Sequence, residues 1–166
     1  MKTYGENGLI EKIIYNIGVS TPYFIFIFAL YILRLKNNYL SIYCIGYVIN
    51  IILNILLKFI IKEPRPLQDK MLYNIFNELD KHVPFNSYGM PSGHAQLTAY
   101  TLTYLYLVTK SMSVLCFTLF LISITIFQRV LSKKHSIKQV LVGTIIGIGL
   151  GYFFYTHANK LIRDRV

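Results

Sequence analysis

Residues 128–140 read QRVLSKKHSIKQV, a cationic stretch set between two strongly apolar runs. Arg129 and His135 stand at the mouths of those runs, with Lys133, Lys134 and Lys138 around them. An arginine fork matches the oxygens of a phosphate group. An imidazole titrates near neutral pH, where it can serve as nucleophile or proton carrier. The same residue types recur upstream. PSGH at residues 91–94 places His94 just after Pro91–Ser92, a turn-and-cap pair opening a helix whose free backbone N–H groups form a cradle for an anion. KFIIKEPRP at residues 58–66 supplies Lys58 and Arg65.

Three permanent cations, two imidazoles and a hydroxyl are what phosphoryl transfer asks for. The cations hold and neutralise the phosphate, while the imidazoles supply a nucleophile and a proton donor. Magnesium sites want carboxylates, and of the seven acidic residues only Glu63 lies beside the group. Lys58, Arg65 and Arg129 are therefore expected to do the electrostatic work of a metal, with no cofactor. Taken singly, each residue has a plainer use: Lys58 as a snorkelling lysine, Arg65 as a loop charge, Ser92 as a helix cap, His94 as an interfacial histidine, Arg129 and His135 as edge anchors. Lys133, Lys134 and Lys138 are read as such edge charges.

The elements that must position these residues follow from composition. The chain has 166 residues, 54% hydrophobic and only 14% charged. A soluble domain carries about 25% charged residues, so a single membrane-embedded domain over residues 1–166 is expected. A net charge of +10 would suggest nucleic acid in a soluble protein. Here the basic residues lie between apolar runs, and no nucleic-acid-binding signature interrupts them, so membrane edges or a bound anion explain them better. Cys44 and Cys116 lie inside apolar runs without metal-site spacing and are expected to be small buried hydrophobes.

A membrane span needs about 20 apolar residues, and five stretches qualify: 18–35, 39–61, 93–109, 112–127 and 139–156. The third is the weakest, diluted by Gln96 and threonines. Gly143, Gly147 and Gly151, spaced by four in the fifth, are expected to let two helices approach closely. Leu9, Ile10, Ile13, Ile14 and Ile17 predict a short interfacial helix ahead of the first span. Residues 70–83, within the one long hydrophilic stretch, have the pattern of a short amphipathic helix. The expected fold is an all-α polytopic membrane bundle of five spans plus the N-terminal interfacial helix, with up to six helices in the core.

Alternating spans put the end of span two, the start of span three, the end of span four and the start of span five on one membrane face. Lys58, Arg65, Ser92, His94, Arg129 and His135 then converge at one level. A permanent charge costs about 2.5–3.5 kcal/mol at the membrane centre and less near its edge, so such a group implies a bound anion.

The spacing Lys58-x6-Arg65-Pro66, then Pro91-Ser92-Gly93-His94, then Arg129-x5-His135 resembles the three motifs of the type-2 phosphatidic acid phosphatase family. The resemblance implies that His135 attacks phosphorus to form a phosphohistidine and that His94 protonates the leaving oxygen and then helps activate water. It further implies that Lys58, Arg65, Ser92, Gly93 and Arg129 hold the phosphate and that no metal is required. The usual third motif begins with Ser before the Arg and has an Asp four residues after the His; here Gln128 and Gln139 stand at those places. KEPRP, YGMPSGHAQ and HSIKQVLVG resemble the dolichyldiphosphatase branch, which has Gln in the third motif, while Gly93 stands where that branch tends to have Ser.

His135 and Gln139 are one helical turn apart on one face. The Gln carbonyl can accept from the imidazole Nδ1–H and fix its tautomer, but it offers no negative charge to an imidazolium. The expected function is hydrolysis of dolichyl (polyprenyl) diphosphate to the monophosphate and inorganic phosphate. The alternatives are a broader phosphatase for phosphatidic acid and other lipid phosphates, and a non-catalytic membrane protein that binds lipid phosphates. The expected partners are a lipid phosphate substrate and membrane lipid, with no nucleic acid. Arg34, Lys36, Lys110, Lys160, Arg163 and Arg165 in short segments at the opposite face mark it as cytoplasmic. The site is then expected to face the lumen of the endoplasmic reticulum or the outside.

Overall fold

The computed structural model describes residues 9–66 and 88–164. Among them are five helices: α1 (Leu9–Leu33), α2 (Asn37–Ile61), α3 (Gly93–Thr109), α4 (Met112–Leu131) and α5 (Ile137–Arg163). Pro64 and Tyr88 form an isolated antiparallel bridge. Helices α1, α2, α4 and α5 are long and apolar enough to cross a membrane. The all-α membrane bundle expected from the sequence is the fold observed.

Each outer helix divides into an inner and an outer face. On α2 the buried residues are Tyr43, Gly46, Asn50, Asn54 and Lys58, a stripe at three- and four-residue spacing. Ile45, Val48, Ile52, Leu56 and Phe59 point outward and are exposed. An apolar exterior around a more polar stripe is the pattern lipid selects, because hydrocarbon covers the outer face and the bundle must satisfy the inner one. Cys116 also faces outward and Cys44 is only half-buried, which corrects the expectation that both are buried. Residues 9–17 do not form a separate helix. They run on through Gly18 and Pro22 as part of α1, the proline sitting inside the helix. A membrane helix tolerates such a proline where neighbours re-satisfy the freed backbone groups. The helix expected at 70–83 lies outside the described residues.

Helix α3 explains its own weak hydropathy. It packs against each of the other four helices and most extensively against α5. It never meets lipid along most of its length, so it can carry polar groups that the bundle satisfies. Thr98, Thr101 and Thr109 return their hydroxyls to the carbonyls of His94, Leu97 and Leu105 at 2.7, 3.0 and 2.8 Å. Buried Gln96 donates to Asn50 Oδ1 at 2.5 Å and accepts from Asn54 Nδ2 at 2.8 Å. Tyr43, Tyr100 and Tyr104 fill the far half of the core. Tyr100 and Tyr104 donate to the carbonyls of Tyr43 and Tyr39 at 2.9 and 2.7 Å, and the Tyr43 hydroxyl meets Thr101 Oγ1 at 3.0 Å.

The contact between α3 and α5 depends on the glycine stripe. A Cβ on Gly143 would lie 2.5 Å from the Ser92 carbonyl oxygen, and one on Gly151 would lie 2.8 Å from that of Tyr100. Between them, a Cβ on Gly147 would collide with the Gln96 carbonyl. Three glycines thus meet the carbonyls of Ser92, Gln96 and Tyr100, at the start of α3 and along it, each series spaced by four residues, so the backbones touch. Gly149, off this stripe, faces open space.

Candidate active site

α2 and α4 finish, and α3 and α5 begin, at one end of the bundle, and every sequence-predicted site residue lies there. Lys58 is in the last turn of α2 and 7% exposed. Its ammonium donates to the Tyr88 carbonyl at 3.1 Å. Arg129 is in the last turn of α4, which runs four residues beyond the expected end. Its Nη2 lies 2.7 Å from His94 Nδ1 and 2.8 Å from His94 Nε2. A guanidinium only donates, so it can bond to only one ring nitrogen that lacks a proton. Nδ1 has Arg129 as its partner, whereas Nε2 also has the Val19 carbonyl of α1 at 3.2 Å, an acceptor, so the arrangement suits acceptance at Nδ1 and a proton on Nε2. Arg65 is close enough for its charge to act on Lys58, His94 and His135.

Ser92 takes the N-cap position of α3, but its side chain makes no capping bond. The hydroxyl is fully buried and has no hydrogen-bond partner among the described residues. A buried polar atom left in this state needs a reason, and an acceptor or donor on a ligand would supply one. Gly93 follows, where a Cβ would approach Asn54 Oδ1 to 3.1 Å. Asn54 also donates to the Pro91 carbonyl at 3.3 Å, so α2 fixes the turn that opens α3.

His135 sits in the short link between α4 and α5 and is 3% exposed. Its Nδ1 lies 2.9 Å from the Gly89 carbonyl and 3.3 Å from Gln139 Oε1. Both are acceptors, so Nδ1 carries the proton and Nε2 keeps the lone pair. Burial, then the charges of Arg65, Arg129 and Lys58, push its pKa well below the ordinary histidine value, while the bond to Gln139 works the other way. The imidazole is neutral at pH 7.

Gln139 is held on every side. It stands at the third position of α5 in a capping box with Ser136: Gln139 N donates to Ser136 Oγ and Ser136 N donates to Gln139 Oε1, each at 3.2 Å. Its amide nitrogen donates to Glu63 Oε1 at 3.0 Å and to the Pro64 carbonyl at 2.9 Å. Turning the amide over would set its oxygen against two acceptors, so the orientation toward His135 is dictated by its neighbours. The approach is close enough that a Cβ on Gly89 would collide with Gln139 Oε1.

Several contributors were not singled out from the sequence. Gly89 and Tyr88 act through backbone carbonyls, which carry no side-chain signal. Val19 does the same from α1. Asn54 had a readable signal, since Asn50, Asn54 and Lys58 recur every four residues inside an apolar run. Lys138 is more than an edge charge, because it pairs with Glu63 Oε2 at 3.2 Å. Gln128, the departure from the usual Ser, is buried against Gly18, where a Cβ would come within 2.6 Å of its side chain. The bulk of the glutamine is taken up by the lack of a side chain on α1. Among the described residues no group of three or more His, Cys, Asp or Glu side chains is placed to hold a metal ion.

No curated protein and no solved structure gives a significant match to the chain. Residues 39–163, about three quarters of the chain and spanning α2 to the end of α5, match the PAP2 superfamily. With three motif segments converging at one end of a membrane bundle and a match of that extent, the chain belongs to the PAP2 superfamily.

Proposed function

We propose that this protein is a membrane lipid phosphatase that cleaves dolichyl (polyprenyl) diphosphate to the monophosphate and inorganic phosphate, through a phosphohistidine on His135 and without a metal. Family membership supports phosphatase chemistry. The observation that carries the mechanism is the tautomer of His135: Gly89 and Gln139 hold the proton on Nδ1, which frees the Nε2 lone pair for attack. Nε2 bonds to the terminal phosphorus while the bridging P–O bond breaks, and His94 gives its proton to the leaving lipid phosphate. Water then attacks the phosphohistidine, passing a proton to His94 as the N–P bond breaks. Lys58, Arg65, Arg129, the Ser92 hydroxyl and the Gly93 N–H hold the phosphoryl oxygens and offset the charge that builds on them. Arriving phosphate draws the Arg129 guanidinium off His94 and gives that imidazole an anionic neighbour, which favours its protonated form.

The polyprenyl substrate is supported by the resemblance of the KEPRP, YGMPSGHAQ and HSIKQVLVG segments. The site faces the lumen of the endoplasmic reticulum, or the outside of the cell, in this reading. What supports that side is the run of basic residues in short segments at the far end, Arg34, Lys36, Lys110, Lys160 and Arg163.

The test is a panel of lipid phosphates hydrolysed in detergent with a chelator present. Polyprenyl diphosphate should be cleaved best, the chelator should have no effect, and His135→Ala should lose essentially all phosphate release. Loss of activity with the chelator removes the metal-free mechanism. Preference for phosphatidic acid removes the polyprenyl assignment. Unchanged release by His135→Ala removes the catalytic reading and leaves a lipid-phosphate binder.

A further inference from the structure

We infer that Glu63 is a positioning residue for His135, its carboxylate reaching the imidazole through the side-chain amide of Gln139. The inference rests on the proposed role of His135 as nucleophile. A histidine that attacks phosphorus becomes positively charged, and an acceptor at Nδ1 steadies it. A neutral amide steadies a cation less than a carboxylate does. Here the amide is itself bonded to a carboxylate: His135 Nδ1 meets Gln139 Oε1 at 3.3 Å, and Gln139 Nε2 donates to Glu63 Oε1 at 3.0 Å. Hydrogen bonds in series polarise one another, so the bond to Glu63 makes Oε1 a better acceptor for His135. The amide proton stays on nitrogen, and no proton passes along the chain of bonds.

The backbone shows why the two residues occur together. The segments on either side of residues 67–87 are pinned side by side by the Pro64–Tyr88 bridge and by Gly89 N donating to the Glu63 carbonyl at 2.8 Å. This sets Glu63 on one side of Gln139 and the Gly89 carbonyl, the second acceptor for His135, on the other. An aspartate at position 139, although one methylene shorter, would put a second carboxylate beside that of Glu63. Two carboxylates there repel, whereas an amide donates to one and accepts from the imidazole. Lys138 also pairs with Glu63, but its side chain is 71% exposed, so solvent screens that pair and the less exposed partner of the carboxylate is Gln139.

The experiment measures phosphoenzyme formation and steady-state kinetics with farnesyl diphosphate labelled in its terminal phosphate, for wild type, Glu63→Gln, Glu63→Asp, Gln139→Asp, the double variant Glu63→Gln/Gln139→Asp, and His135→Ala. Glu63→Gln should lower kcat about tenfold or more, the scale of loss seen when the hydrogen-bond partner behind a metal-bound histidine is removed, with KM little changed. Glu63→Asp should recover most of that loss. Gln139→Asp should be impaired, and adding Glu63→Gln should restore it, because only one carboxylate then remains at the site. A purely structural role for Glu63 makes the double variant no better than Gln139→Asp, and that result overturns the inference. Wild-type rates in Glu63→Gln, or in Gln139→Asp with Glu63 in place, overturn it too. In each of those cases an inactive His135→Ala leaves the phosphatase reading standing. A fully active His135→Ala overturns both.

Discussion

His135 combines burial with a fixed tautomer, and its pKa has a consequence for stability. Burial and the cations Arg65, Arg129 and Lys58 hold its folded-state pKa well below the ordinary value. In the unfolded chain a histidine takes up a proton near pH 6.5. Below that pH the unfolded state binds more protons than the folded one, so stability present at neutral pH is lost as the pH falls. The melting temperature of the detergent-solubilised protein should drop between about pH 7 and about pH 5, and should drop less in His135→Asn. Equal drops in the two proteins would show that His135 does not contribute. Gln139 shows the same economy: both amide hydrogens and its oxygen are committed, so the residue that departs from the usual Asp is specified by its surroundings.

Helix α5 brings Gln139 to the site by pressing its backbone against α3. The stripe Gly143, Gly147 and Gly151 makes this possible, and Gly143 lies directly against the Ser92 carbonyl. A methyl group at Gly147 has nowhere to go, since it meets the Gln96 carbonyl and the Ala99 side chain. Gly147→Ala should therefore cost about 1–3 kcal/mol through overpacking, and phosphatase activity should fall with it because α3 carries His94. Gly149→Ala, facing open space, should be neutral or slightly stabilising, as alanine favours helix over glycine. Thermal unfolding and activity of the pair separate the two positions; equal effects would mean the stripe is not the contact that counts. The match to the superfamily begins at residue 39, yet α1 ahead of it also contributes: its Val19 carbonyl meets His94 and its Gly18 receives Gln128.

The described residues form a bundle that is polar at its two ends and apolar around its waist. One end carries the site; the other carries Lys110, whose αL backbone closes α3, and the Tyr39–Asn159 bond at 2.6 Å. Lys133, in the link before His135, is exposed at the site end. In a background lacking Cys44 and Cys116, Lys133→Cys and Lys110→Cys should react with a membrane-impermeant maleimide from opposite sides of sealed vesicles. Labelling of both from the same side would contradict the up-and-down arrangement of α3 and α4. The side that labels Lys133→Cys also decides which compartment supplies the substrate.

Composition and hydropathy by themselves determined the membrane bundle, and the alternation of spans determined which residues share a face. That Lys58, Arg65, His94, Arg129 and His135 gather at one end was legible, because a charge or imidazole in an apolar chain is costly enough to mark itself; Ser92 and Gln139 are neutral and stood out only through the cap and motif positions they hold. The weak third span was legible only as an anomaly. Its polar groups are tolerated because four helices surround it, and that burial is a property of packing. The same holds for the setting of His135. The sequence placed an amide one turn away, but only the tertiary structure brought the Gly89 carbonyl and the Glu63 carboxylate to it. Those two contacts join segments 46 and 76 residues apart in the chain, and one of them is made by a backbone atom that every residue possesses. Spacing in sequence cannot encode either, since both are decided by where a bridge between Pro64 and Tyr88 closes.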